Sequence, residues 1–157
     1  MPNNEKNTVV VVGPPDNIRK FRDEAFTVVN GVLGLDFNKV IPQPENIERG
    51  GCSGTHAEGE VCWYTWRIEK WGTKWLAYTH TEHVYTVFEA VEDDQHLARL
   101  DFTFQTAWDA PRPVFRAIES RWGVEVHAVT QDEGGFPDTE YGEPYRYLKK
   151  TFVPGYW

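Results

Sequence analysis

Between Ala98 and Trp108 the side chains alternate. Leu100, Phe102, Phe104 and Trp108 fall on one side of an extended chain, and Arg99, Asp101, Thr103 and Gln105 fall on the other. A period of two describes a β-strand with one face in a core and one toward water. Strands of purely parallel sheets are covered on both faces and read as continuous apolar runs, so this segment calls for an antiparallel sheet. Rings on its dry face need an apolar layer opposite them. The fold class is therefore a sheet with helices packed on one side.

The rest of the chain supplies those partners. Thr8 to Gly13 is a short β-branched apolar run, a buried strand. No small-residue cleavage site follows it, so it reads as a strand and not as a signal peptide. Gly13-Pro14-Pro15-Asp16 breaks that strand and starts a helix with Ile18, Phe21, Ala25 and Val28 along its dry stripe, closed by Asn30-Gly31 and Gly34. Leu35 to Pro44 reads as extended chain and residues 45 to 60 as a glycine-rich loop, expected to be protease-sensitive. Val84 to Ala90 should pair with the alternating strand across a turn at 92 to 96. Pro113 opens a second helix with Val114, Ala117, Ile118 and Arg121 or Trp122 inside, and Gly123 ends it. Val124 to Val129 alternates again. Residues 131 to 145 are turn-rich, and Arg146 to Val153 suggest a last strand. The order predicts one α+β domain over residues 1–157. It would be a two-layer, ferredoxin-like βαββαβ sandwich with a loop and helix inserted at about 45–80.

The inserted stretch carries four of the seven tryptophans, Trp63, Trp66, Trp71 and Trp75, interleaved with Arg67, Lys70 and Lys74. Val61, Tyr64, Ile68 and Trp71 follow helical spacing and predict the buried stripe. Trp63, Trp66, Arg67 and Lys70 would then flank it or face away. Such a surface can stack on bases, bind a peptide or seal the core.

Charge narrows the partner. The 157 residues carry a formal charge of −8. Seven acids (Glu82, Glu89, Glu92, Asp93, Asp94, Asp101 and Asp109) stand against Arg99 alone between Trp75 and Pro111. A broad nucleic-acid footprint needs the opposite sign. A solvated face, or contact with a basic protein, suits it. No apolar run is long enough for a membrane helix, and the expected location is cytoplasmic. Cys52 and Cys62 flank the glycines and leave both a disulfide and free thiols open. With His56, His80 and His83 they do not make a familiar zinc spacing. No phosphate-binding glycine loop or nucleophile elbow is present, and no cofactor or metal residue is assigned.

Several segments together resemble the YubB-type ferredoxin-like domain family carried by phages and plasmids. They are Met1-Pro2-Asn3, Leu35 to Glu45, the Trp63-to-Trp75 stretch ending in Trp-Gly-Thr-Lys-Trp, and Phe104 to Val114 with its Thr-Ala-Trp. They span most of the chain in order. The glycine–cysteine loop and the less regular last thirty residues depart from the family pattern. The family name refers to the fold and implies no iron–sulfur cluster, which two cysteines could not hold in the usual four-cysteine manner. The resemblance implies a mobile-element accessory protein without an assigned activity. The expectation is a non-enzymatic protein, such as an anti-defence inhibitor, that binds a host protein with a basic surface through Glu92, Asp93, Asp94 and Asp101. The first alternative is a single-stranded nucleic-acid module using Trp63, Trp66, Arg67, Lys70 and Lys74. The second is a small metal- or nucleotide-dependent enzyme.

Overall fold

A computed structural model describes residues 3–45, 47, 62–90 and 95–149. Five strands form one antiparallel sheet in the order β4-β5-β1-β6-β7, comprising β1 (Asn4–Gly13), β4 (Val84–Ala90), β5 (Gln95–Ala107), β6 (Glu125–Gln131) and β7 (Pro137–Tyr141). A separate hairpin pairs β2 (Phe26–Val29) with β3 (Val32–Leu35). Among the described residues the helices are α1 (Pro15–Ala25), α2 (Phe37–Val40), α3 (Trp63–Lys70) and α4 (Arg112–Trp122), and a 3-10 turn lies at Pro144–Arg146. The mixed α+β architecture and the antiparallel sheet agree with the expectation from the alternating strand.

Alternation on β5 works as its period requires. Val9 and Val11 of β1 stand opposite Phe102 and Leu100 on β5, and opposite Ala128 and Val126 on β6. These residues join Ile18 and Phe21 of α1 and Val114, Phe115 and Ile118 of α4 in one core. Rings run through it without a break. From Trp122 to Phe21, Phe26, Phe102, Phe104, Phe37, Trp71 and Trp66, each centroid lies 5.2–6.0 Å from the next. Offset and edge-on pairs at such distances are the favourable ring geometries. The opposite sheet face is partly roofed by the chain after Gly142. Glu143 N–H donates to His127 Nδ1 at 2.9 Å, and the Tyr147 ring lies 4.8 Å from His127 and 5.5 Å from the Arg99 guanidinium.

Four local expectations need correcting. The first helix stops at Ala25, and Val28, expected on its stripe, is 68% exposed on β2. Phe26-Thr27-Val28-Val29 is β-branched, and Asn30 and Gly31 both take left-handed backbone (φ 50° and 79°), the two-residue turn of a tight hairpin. Second, the stretch read as extended contains α2, nucleated by Asp36, whose carboxylate accepts the Asn38 N–H at 2.9 Å. Third, the turn-rich segment holds β7, which extends the sheet beside β6. Fourth, Tyr147, Leu148 and Lys149 follow the 3-10 turn without forming a strand; residues 150–153 of that expected strand lie outside the described residues. So does the loop at 45–60, apart from Glu45 itself and the neighbouring Ile47.

Candidate binding surface

The buried face of α3 is not the one its apolar periodicity suggested. Trp66, at 9% exposure, and the adjoining Trp71 enter the core with Cys62, while Ile68 is exposed and Tyr64 half-buried. Trp71 decides the orientation. It is fully buried against Phe37, and its indole N–H donates to the Ile41 carbonyl at 2.9 Å, which satisfies its one polar group. Gly72 then turns the chain with φ 79°, a left-handed stop that Gly makes without strain.

Cys62 caps α3 at its N-terminus: the Thr65 N–H and hydroxyl both lie within reach of its Sγ, at 3.5 and 3.4 Å. Cys62 is disulfide-bonded, so the sulfur can only accept from Thr65. Cys62 is therefore expected to resist maleimide until a reductant is added. Modification without reductant would show it free.

One exposed side of α3 opens on a cavity of about 400 Å³ lined by Asn38, Gln43, Trp63, Arg67 and Leu76. Arg67 is held in place there. Its guanidinium carbon lies 5.0 Å from the Trp63 ring and 5.1 Å from the Trp71 ring, and its Nε donates to Gln43 Oε1 at 2.9 Å. Nearby, Lys74 places its ammonium 5.1 Å from the Trp75 ring and 5.0 Å from the Trp108 ring, both within cation–π range. Tyr64 meets Trp63 on one side and Trp108 on the other, edge-on at 6.0 and 6.1 Å. Tyr78 meets Trp75 at 6.2 Å. The result is a band of partly exposed rings with two cations set among them.

Trp108 is the strained member. It continues the alternation of β5 in the sequence, yet its φ is +77° and its side chain is 42% exposed. A bulky residue there costs on the order of 1–3 kcal/mol. The turn is pinned by Trp108 N–H donating to Asn3 O at 2.9 Å, and by the Thr106 hydroxyl donating to Asp109 O at 2.7 Å. On the other side, Tyr78 and Gln105 exchange backbone hydrogen bonds of 3.0 and 2.7 Å, docking the segment after α3 against β5. Two distant pieces of sequence thus deliver Trp75 and Trp108 to one place.

Of the residues expected to bind nucleic acid, Trp63, Arg67 and Lys74 belong to this band, Lys70 is exposed at the end of α3 with Glu69 3.7 Å away, and Trp66 is inside. Of the expected acidic contact, Glu92, Asp93 and Asp94 lie outside the described residues. Asp101 lies on the sheet face roofed by Tyr147, where Arg99 grips it through two bonds of 2.8 and 2.6 Å. That bond raises the Arg99 guanidinium further above its ordinary range, and the pair presents little net charge.

The structure gathers other acids instead. Glu5 sits on the inner face of β1, 4% exposed, with its Oε2 lacking a hydrogen-bond partner among the described residues. Burial first, then the charges of Asp138, Asp132, Asp109 and Glu133, push its pKa up to about 7. Glu133 accepts the Asn4 N–H at 2.8 Å, and the Tyr78 hydroxyl bonds Asn4 Oδ1, so this acidic end adjoins the aromatic band. Tyr78 is pushed up by burial and then by Glu133 and Glu5. A signal for Glu5 was present in the sequence: Glu5 and Asn7 keep phase with Val9 and Val11, and extending the strand backwards puts them inside.

Cys52 and His56 lie outside the described residues, and His80 and His83 are placed by packing. Burial lowers both below the usual histidine range. The His80 ring lies so close to Gly34 that a Cβ there would come within 2.4 Å of it. Among the described residues no group of three or more His, Cys, Asp or Glu is arranged to hold a metal ion. No helix among them is long and apolar enough to cross a membrane. Comparison of the chain with models of known protein families, with curated proteins and with solved structures found no match.

Proposed function

We propose that this chain is a non-enzymatic binding protein that engages a basic partner protein through the aromatic band of α3, Trp75 and Trp108. The carrying observation is the juxtaposition of that band with the acidic end around Glu5, Asp109, Asp132 and Glu133. Binding energy concentrates in aromatic anchors and pockets, while charge governs approach and register. The cavity beside Trp63 can take an anchor side chain, and the acids favour a partner of positive sign. The tip between β6 and β7 adds Phe136, 59% exposed beside Asp132 and Glu133.

The scaffold is part of the same reading. The order β4-β5-β1-β6, with α1 and α4 as its helices, supports a ferredoxin-like arrangement to which β7 and the β2–β3 hairpin are added. With the phage and plasmid lineage that the sequence resembles, this makes the partner a host protein and an anti-defence role the natural setting. The Cys62 disulfide is of the kind oxidising compartments preserve.

Capture from host lysate tests the reading. A partner should be retained by the wild type and by an Asp101→Asn control, and retained about tenfold less by Trp75→Ala. A partner bound equally by all three would place the contact elsewhere. The nucleic-acid alternative is favoured by Trp63, Arg67 and Lys74 sharing one band, with Lys70 exposed at the end of α3. Against it stand the burial of Trp66 and the engagement of Arg67 and Lys74 with rings of their own chain. Tight, salt-sensitive binding of a single-stranded oligonucleotide at about 150 mM salt would install it.

A further inference from the structure

We propose that the two indoles of Trp75 and Trp108 are the jaws of an alkylammonium site, built to take a lysine head group or its methylated form from the partner. In the unbound protein Lys74 fills it. The inference rests on the reading of the aromatic band as the contact surface and names what that surface recognises.

Three observations carry it. The site already holds the chemistry proposed, because one ammonium sits 5.1 and 5.0 Å from two ring centroids. Electrostatic attraction of a cation to a ring face acts within about 6 Å and favours a head group whose hydration is weak, as methylation makes it. Second, both indoles remain more than a third exposed, so the jaws open outward. A clamp meant only to fasten Lys74 would gain more by burying them. Third, Trp108 holds its place at φ +77°, where glycine would fit without strain. Backbone strain retained under an exposed ring points to a function for the ring.

The surroundings agree in sign. Tyr64 and Tyr78 back the two jaws edge-on. The Tyr78 hydroxyl leads through Asn4 to Glu133, and Asp109, 3.5 Å from the Arg112 guanidinium, follows Trp108 directly. Aromatic faces with carboxylates behind them suit a cation and disfavour an anion. Lys74 then acts as a tethered competitor. An intramolecular occupant is present at an effective concentration of about millimolar, and a partner must displace it.

The test uses the whole chain and a small probe. Acetyl-trimethyllysine amide and a neutral analogue with a tert-butyl carbon in place of the ammonium nitrogen are titrated while the indole N–H signals of Trp75 and Trp108 are followed by NMR. In Lys74→Gln both signals should shift saturably with the cationic probe, at about tenfold lower concentration than in the wild type. The neutral analogue should leave them in place. Trp108→Gly in that background should abolish the Trp75 shift; glycine relieves the strained φ, so its thermal midpoint should be equal or higher and loss of the response is not loss of the fold. An unresponsive Lys74→Gln, equal responses to the charged and neutral probes, or a Trp75 shift that survives Trp108→Gly would each overturn the site. If the probe fails while Trp75→Ala still weakens partner capture, the ammonium site falls and the contact surface stands. If the probe binds and partner capture ignores Trp75→Ala, the site stands and the contact surface falls.

Discussion

Replacing Phe104 by alanine is expected to destabilise the fold by about 3–5 kcal/mol, the range for deleting a buried ring. Phe104 is fully buried on the inner face of β5. It stacks on Phe102 at 6.0 Å and meets Phe37 edge-on at 5.9 Å, and through Phe37 it supports Trp71 and so the seat of α3. Phe102 and Phe37 belong to the same continuous core and are themselves held by further rings, so neither is free to swing into the vacated space. The surroundings can relax only in part, and a residual cavity adds to the lost transfer energy. Urea unfolding followed by fluorescence measures it, with the midpoint falling at unchanged slope. A loss under about 1 kcal/mol would mean that this ring is not a keystone of the core. Because Trp71 lies two rings away, near-ultraviolet dichroism of the folded variant should also lose tryptophan signal.

Glu5→Gln should stabilise the protein at neutral and alkaline pH. Burial and the acids around it raise the Glu5 pKa from 4.5 to about 7. A carboxyl whose folded pKa lies above its unfolded value binds its proton more tightly in the native state, so ionisation opposes folding. Below pH 4.5 both states are protonated and no penalty exists. Between 4.5 and about 7 the penalty grows, and above 7 it is complete. At 1.36 kcal/mol per unit this shift amounts to about 3 kcal/mol. The amide is neutral at every pH. Stability curves of wild type and Glu5→Gln should therefore converge toward pH 4.5 and part progressively up to pH 7. Parallel curves across that range would mean that Glu5 titrates as an ordinary exposed acid. The same titration bears on the acidic end of the binding surface, which carries one less negative charge in mildly acidic solution.

The expectations that succeeded rest on long-period patterns. Alternation along β5, the apolar run of β1 and the stripes of α1 and α4 put Phe102 against Phe21 and closed an antiparallel sheet under helices. Such patterns are legible because the core needs them repeated many times over. At Val28 a short pattern misled. It falls in phase with Ile18, Phe21 and Ala25, but a four-residue β-branched run and the Asn30-Gly31 turn outweigh one more helical turn.

The binding surface was legible only as a composition. Counting tryptophans and bases located the stretch from Trp63 to Trp75, yet α3 has eight residues and carries rings on more than one face. Tyr64 with Ile68, and Cys62 with Trp66, both satisfy helical spacing, so periodicity does not choose between them. Trp71 chooses, by reaching Phe37 and the Ile41 carbonyl, and both partners come from a segment some thirty residues earlier. Trp108 left its strand for a left-handed turn because Asn3 and Asp109 hold the backbone there, and no local rule places a tryptophan at positive φ. Asp101 looked like free charge until Arg99, two residues away on the same strand face, gripped it. By itself the sequence determined four of the five strands, their dry face and the helices α1 and α4 that cover it, since burial must recur at the period of each element. Which aromatic rings face water, and which acids keep their charge, was decided by tertiary structure. The placing of the rings depends on contacts between segments far apart in the chain, whose geometry no local period encodes, and the Arg99–Asp101 pair forms because both side chains share one face of β5.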